Sequence, residues 1–241
     1  MSQSLVELDG SFGEGGGQIL RTSLALSLLT GRPFHLRNVR ARRSKPGLQP
    51  QHLMSVRAAA TIGQANVRGA SLGSSDLVFE PGEVCPGKYT FSIGTAGATG
   101  LVLHTVYLPL ALRTRAASEL TLQGGTHVTT SPCFHFLDTT WRAYMQLAGL
   151  RIRLKLIRPG FYPRGGGVVQ AAIEPCSELR GVRLGEVGTI TSVTGFSAVA
   201  GLPEHVAQRQ ARRATNRLEQ YGLKVHIQHE KWAGGPGSVL A

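Results

Sequence analysis

The chain has 241 residues, 41% hydrophobic and 17% charged, with a formal net charge of +12 at pH 7. That length allows one large domain or two with ample core, and no apolar run reaches the roughly 18 residues of a membrane span. Cys85, Cys133 and Cys176 are odd in number and far apart. This excludes a disulfide framework or a cysteine metal cluster and, with acidic Glu7 and Asp9 where a secretion signal would be basic and apolar, points to a reduced cytoplasm.

The surplus of positive charge favours a polyanionic partner such as nucleic acid. Its distribution says more. Between Glu14 and Asp76 there is no acidic residue, while Arg21, Arg32, Arg37, Arg40, Arg42, Arg43, Lys45, Arg57 and Arg68 all fall there. A solvated face ordinarily mixes both signs, so this stretch reads as an anion-binding surface.

In chain order, Ser4–Leu8 alternates like a short strand. It leads into Asp9-Gly10-Ser11-Phe12-Gly13-Glu14-Gly15-Gly16-Gly17-Gln18, with four glycines in five positions. Leu20, Leu24 and Leu28 then recur at helical spacing as far as Gly31, a natural C-cap. A glycine loop entering a helix suits a phosphate, because the backbone can approach closely and the helix start offers unpaired N–H groups. Arg21 lies in the first turn, with Glu14 and Gln18 beside the same loop. The run is neither a Walker loop nor a complete G-x-G-x-x-G. A glycine turn that only packs the helix close to a sheet is the plainer alternative.

Pro33–Val39 reads as a strand leading into the basic loop Arg40–Gly47. Gln51–Ile62 reads as a helix, and two short strands follow near Ala65–Arg68 and Asp76–Glu80. The order then repeats: strand Lys88–Ile93, small-residue loop Gly94–Gly100, helix Leu101–Leu112, strand Glu119–Gln123, helix Phe134–Leu147, strands Leu150–Leu156 and Val168–Ile173. A period of about 85 residues argues for duplicated α+β units. After Pro175 the composition shifts. Glu186–Val199 supplies one or two strands, Pro203 to about Tyr221 a helix, and Leu223–Gln228 a strand, while Ser238–Ala241 opens a strand with no partner after it.

These residues resemble the RNA 3'-terminal phosphate cyclases. The resemblance rests on Gly13–Arg21, on Arg40–His52 with its Ser44-Lys45-Pro46-Gly47-Leu48 and Gln51-His52-Leu53, and on Ile93–Gly97, Gly124-Gly125-Thr126, Gly160–Gly167 and Leu202–Ala207. It covers the whole chain. It implies an α+β fold of tandem βαβαββ repeats, like the C-terminal domain of translation initiation factor 3, with a small inserted βαβ(β) domain. On this reading residues 1–179 are the large domain, with repeats at about 1–82 and 83–179. Residues 180–241 are an incomplete insert, and the third repeat is expected to be absent.

The resemblance implies ATP-dependent conversion of an RNA 3'-terminal phosphate to a 2',3'-cyclic phosphodiester through adenylylated intermediates, with ATP and a divalent metal, magnesium or manganese, as cofactors. Glu14 would bind the metal. Gln18, His104 and Pro132 would contact ATP, although relatives often have glutamine at the position of His104 and a second proline where Cys133 stands. Arg21, Arg40, Arg43, Gln51 and His52 would hold phosphates of ATP or of the RNA end. No catalytic residue is assigned, because the family's nucleophilic histidine would lie beyond Ala241, so no self-adenylation by these residues is expected. A non-catalytic, cyclase-like RNA-binding or ribosome-maturation protein is the alternative. Exposed apolar surface left by the missing repeat would favour self-association.

Several residues carry plainer readings. His52 could simply face its helix, Arg42 reads as a solvated neighbour and Trp141 as core. His127 orders a turn or touches the ligand, and Phe161-Tyr162-Pro163 fixes a turn. Arg151, Arg153 and Lys155 face either solvent or RNA backbone.

Overall fold

Strands β1 (Val6–Asp9) and β2 (Phe34–Arg37) run parallel, with Val6 opposite Phe34 and Asp9 opposite Arg37. The connection is helix α1 (Gly17–Thr30), the crossover that a parallel pair needs. This computed structural model describes residues 4–186 and 188–241. After β2 come α2 (Pro50–Ile62), β3 (Asn66–Arg68) and β4 (Leu77–Glu80), which close a four-stranded sheet of order β1-β2-β4-β3. Helix α1 ends at Gly31 in the left-handed region (φ 76°), whose N–H returns to Ser27 O at 2.8 Å.

The same order recurs. Strand β5 (Lys88–Ser92), α3 (Thr99–Arg113) and β6 (Ser118–Gly124) form a second parallel crossover. A π-helical stretch, Phe136–Trp141, runs into α4 (Arg142–Leu147). Strands β7 (Ile152–Arg158) and β8 (Gly167–Ile173) then complete a sheet of order β5-β6-β8-β7. Corresponding strands occupy corresponding places in the two sheets.

Alternation dictates which face of each sheet is dry. Leu120 and Leu122 of β6, with Val169, Ala171 and Ile173 of β8, point inward and are buried. The inward faces meet the helices: α3 packs on both α1 and α2, so Leu24, Leu28, Phe34 and Phe79 share one core with Leu103, Val106, Leu110 and Leu120. On the outer face of the second sheet, Arg151 and Arg153 both pair with Glu174. Trp141 packs edge-on against Tyr107 at a centroid distance of 5.0 Å, on the core as expected.

The remaining strands make a third sheet. Strand β9 (Ser192–Ala200) and β10 (Lys224–Trp232) are parallel and joined by α5 (His205–Glu219). The strand expected to open at Ser238–Ala241 with no partner after it is β11 (Gly237–Leu240), which pairs antiparallel with the earlier strand β9, Gly237 opposite Ala200 and Leu240 opposite Ser197. Pairing with an earlier strand is a long-range event that a local apolar pattern does not encode. The third sheet meets the rest through rings: Phe196 and Trp232 lie against His135 at 4.2 and 5.3 Å, and Trp232 lies 5.5 Å from His127.

Candidate functional site

The loops that follow β1 and β2 lie at the carboxyl ends of two adjacent parallel strands, the place where α/β folds put ligands. The first loop delivers the start of α1, the second the start of α2. Neither helix start has a side-chain cap or an acidic residue in its first turn. Both therefore present the positive end of the helix dipole; α1 also offers uncapped N–H groups, whereas α2 opens with Pro50, which has no N–H, and its His52 N–H donates to Gln49 O at 2.9 Å. They meet at Gly17 and His52. A Cβ on Gly17 would fall 2.3 Å from His52 Nε2 and 2.9 Å from Arg21 Nη1, so only glycine fits there.

The neighbouring glycines repeat the pattern. A Cβ on Gly16 would lie 2.7 Å from Arg43 Nη2, and one on Gly15 would lie 2.8 Å from Arg42 Cβ. Three successive glycines thus each seat a basic side chain of the second loop or of α2. The run packs its helix closely, as the plainer reading has it, and what it packs against is the cation cluster. Arg42, exposed to solvent as expected, also donates from Nη1 to Gly13 O at 2.9 Å and so touches the glycine loop. The only sequence signal for that was its place between Arg40 and Arg43.

Arg43 Nη2 reaches Glu14 Oε2 at 2.9 Å, although the Glu14 side chain is 88% exposed. Arg40, itself in the left-handed region at φ 56°, donates from Nη1 to Lys45 O and to Gly47 O, the latter at 2.9 Å, and so shapes the basic loop. Arg21 is 7% exposed, and its Nη2 donates to Gln18 Oε1 at 3.2 Å. Gln18 in turn donates to Thr22 Oγ1. Gln51 accepts at Oε1 from the Ala98 N–H at 2.9 Å, tying the start of α2 to the small-residue loop before α3.

Electrostatics show how crowded the cations are. Burial and then the nearby Arg40 bring Arg21 down to about 10. Burial and then Arg43 lower Arg40. His52, 4% exposed, is pushed down to about 3 by burial and then by Arg40 and Arg21, so its ring is neutral at pH 7. His104, on α3, is lowered by burial and then by Arg21. Arg21 and Arg40 have no carboxylate within ion-pair distance among the described residues. Arg21 Nε and His52 Nδ1 are moreover buried without a hydrogen-bond partner there. Buried polar atoms are almost always satisfied. Both residues border Gly17 under excess positive charge near the two helix starts, chemistry suited to an anion.

The structure therefore gathers Glu14, Gln18, Arg21, Arg40, Arg43 and His52 around the start of α1 and the basic loop, while His104 stands on α3 with its ring 6.1 Å from that of Tyr107. Gln51 borders the group with its carbonyl oxygen engaged. Pro132 stands beside Gly100 near the start of α3, in a wall with Thr99, Leu103 and Leu137 and apart from the arginines. Toward a divalent ion the chain offers Glu14, and no group of three or more His, Cys, Asp or Glu side chains forms a metal site among the described residues. One carboxylate fits magnesium as it is ordinarily held, with phosphate oxygens and water completing the shell.

The family model for RNA 3'-terminal phosphate cyclase matches residues 12–229. An RNA 3'-terminal phosphate cyclase of Caldivirga maquilingensis is 47% identical over 242 aligned residues, spanning 98% of this chain and 68% of that protein. Those of Nostoc punctiforme and Pseudomonas fluorescens are 45% and 46% identical, spanning 98% and 100% of this chain and 70% and 69% of the relatives. On a match of this extent and identity, over the segments that build this cationic cluster, the chain belongs to the RNA 3'-terminal phosphate cyclase family.

Proposed function

We propose that these residues form one wall of the site at which an RNA 3'-terminal phosphate is activated with ATP and closed to a 2',3'-cyclic phosphodiester. The observation that carries the reading is the pair of buried orphan atoms, Arg21 Nε and His52 Nδ1, beneath the uncapped starts of α1 and α2. A phosphate seated there would take hydrogen bonds from Arg21 and from the helix N–H groups, with Arg40 offsetting its charge. Phosphoryl transfer needs mainly positioning and charge compensation, and fixed guanidiniums supply both. His52 takes part as a neutral ring, a hydrogen-bonding partner rather than a cation.

Glu14 would hold a divalent ion, which when bound would offset charge on the phosphates. Arg43 would then turn from Glu14 toward a phosphate oxygen. Gln18 and His104 border the nucleotide, and Pro132 is the surface proposed for adenine. None of the eight histidines stands in the motif of the family's nucleophile, so no residue here is assigned the covalent step. That Glu14, Arg21, Arg40, Arg43 and His52 converge supports catalysis over a purely RNA-binding role. No helix of the described residues is long and apolar enough to cross a membrane, and a cytoplasmic setting accompanies the proposal.

The test is binding of 3'-phosphorylated and 3'-hydroxyl RNA to the chain carrying Arg40→Ala with Arg43→Ala. Loss of charged hydrogen bonds predicts about 10- to 100-fold weaker binding of the phosphorylated end, with a much smaller change for the hydroxyl end. Equal losses for both ends would show that the arginines supply only general attraction.

A further inference from the structure

Helix α5 has two unlike faces. Ala207 and Ala211 are buried, and Gln210 locks the helix to its sheet by accepting from Ser197 Oγ and donating to Ser238 Oγ, both at 3.1 Å. The opposite face carries exposed Arg209, Arg212, Arg213 and Arg217, with Asn216 and Gln220 among them, around a depression of about 670 Å³. Spacings of three, four and eight set these arginines on one stripe, about 12 Å long at a rise of about 1.5 Å per residue.

A solvated helix face normally interleaves carboxylates at such spacings. Here Arg209 with Arg212, Arg209 with Arg213, and Arg213 with Arg217 place like charges one turn apart, which destabilises a helix. None of the four has an ion-pair partner among the described residues. At the end of the helix Tyr221 is 80% exposed, a free ring face beside the charges.

We infer that this stripe is a second RNA contact, a track for the phosphodiester backbone of the strand whose 3' end enters the site above. The inference rests on the RNA reading of that site. Charge complementarity selects the occupant: unpaired guanidiniums in a row fit successive phosphates, and the exposed tyrosine ring can stack an unpaired base. Backbone contacts of this kind are indifferent to sequence and add affinity only for RNA long enough to reach them.

Anisotropy titrations of the unaltered chain, Arg209→Gln/Arg213→Gln/Arg217→Gln and the matching Arg→Lys variant decide it, using a 3'-phosphorylated trinucleotide and a 3'-phosphorylated RNA of about 20 nucleotides. The glutamine variant is expected to bind the long RNA about 10-fold or more weakly, with a salt slope shallower by about 2, since each single-strand phosphate contact contributes about 0.7. Trinucleotide binding stays unchanged, and the lysine variant keeps both affinities. Unchanged long-RNA affinity and slope in the glutamine variant overturns the inference and leaves the stripe to an acidic protein. Failure of the unaltered chain to bind either RNA overturns the RNA reading and this inference with it. Ultraviolet cross-linking of the long RNA to the unaltered chain tests the track independently: adducts on residues 209–221 support it, and their absence there refutes it.

Discussion

Gly17 and His52 press against each other where the two helix starts meet, and each makes a prediction. Gly17→Ala has nowhere to put its methyl, because His52 is buried and cannot swing aside. Overpacking of that kind costs about 1–3 kcal/mol, read as a lower denaturant midpoint at unchanged m-value. Gly16→Ala meets only the mobile end of Arg43 and should be far milder. His52 predicts a pH dependence. Its folded value near 3 lies below the ordinary 6.5. As pH falls below about 6.5 the unfolded chain therefore takes up a proton that the folded chain refuses. Stability drops from there toward pH 3, at up to about 1.4 kcal/mol per pH unit from this group. Denaturant melts at pH 7 and pH 5 check it: His52→Gln should be less sensitive to pH than the unaltered chain, and equal sensitivity would place the effect elsewhere, His127 included, since burial and His135 bring it to about 4.

At the scale of elements, the join between α2 and the loop before α3 hangs on one side chain. Gln51→Ala removes the acceptor of the Ala98 N–H. An unsatisfied donor there costs about 1–3 kcal/mol. Faster hydrogen exchange across residues 94–100 is the expected outcome, with α1 unchanged. If Gln51 acted only on a phosphate, exchange in the free protein would not move. The same scale explains the glycine loop. It brings α1 close enough for Arg42, Arg43 and His52 to be seated by its backbone, so the loop and the basic stretch are two halves of one structure.

Over the whole molecule, contacts between the third sheet and the rest include the ring cluster of His127, His135, Phe161, Phe196 and Trp232. Aromatic pairs add about 0.5–1.5 kcal/mol each beyond burial. Phe196→Ala should loosen β9 and α5 from the body, seen as faster proteolysis between Cys176 and Ser192 with the first two sheets intact. Coincident unfolding of all three sheets in that variant would mean that the cluster is not what couples them.

The sequence by itself determined the order of elements, the C-cap at Gly31 and the gathering of charge between Glu14 and Asp76, because helix periodicity, strand alternation and missing carboxylates are local properties. The family, too, was legible from Gly13–Arg21 and Arg40–His52. Only the tertiary structure decided that Arg42 donates to Gly13, that Arg21 Nε and His52 Nδ1 are buried orphans, that Glu174 pairs with both Arg151 and Arg153, and that β11 pairs with β9. Each of these depends on which distant segments touch. Contact between segments about 30 residues apart sets burial, and burial rather than residue type holds the His52 ring neutral and lowers Arg21.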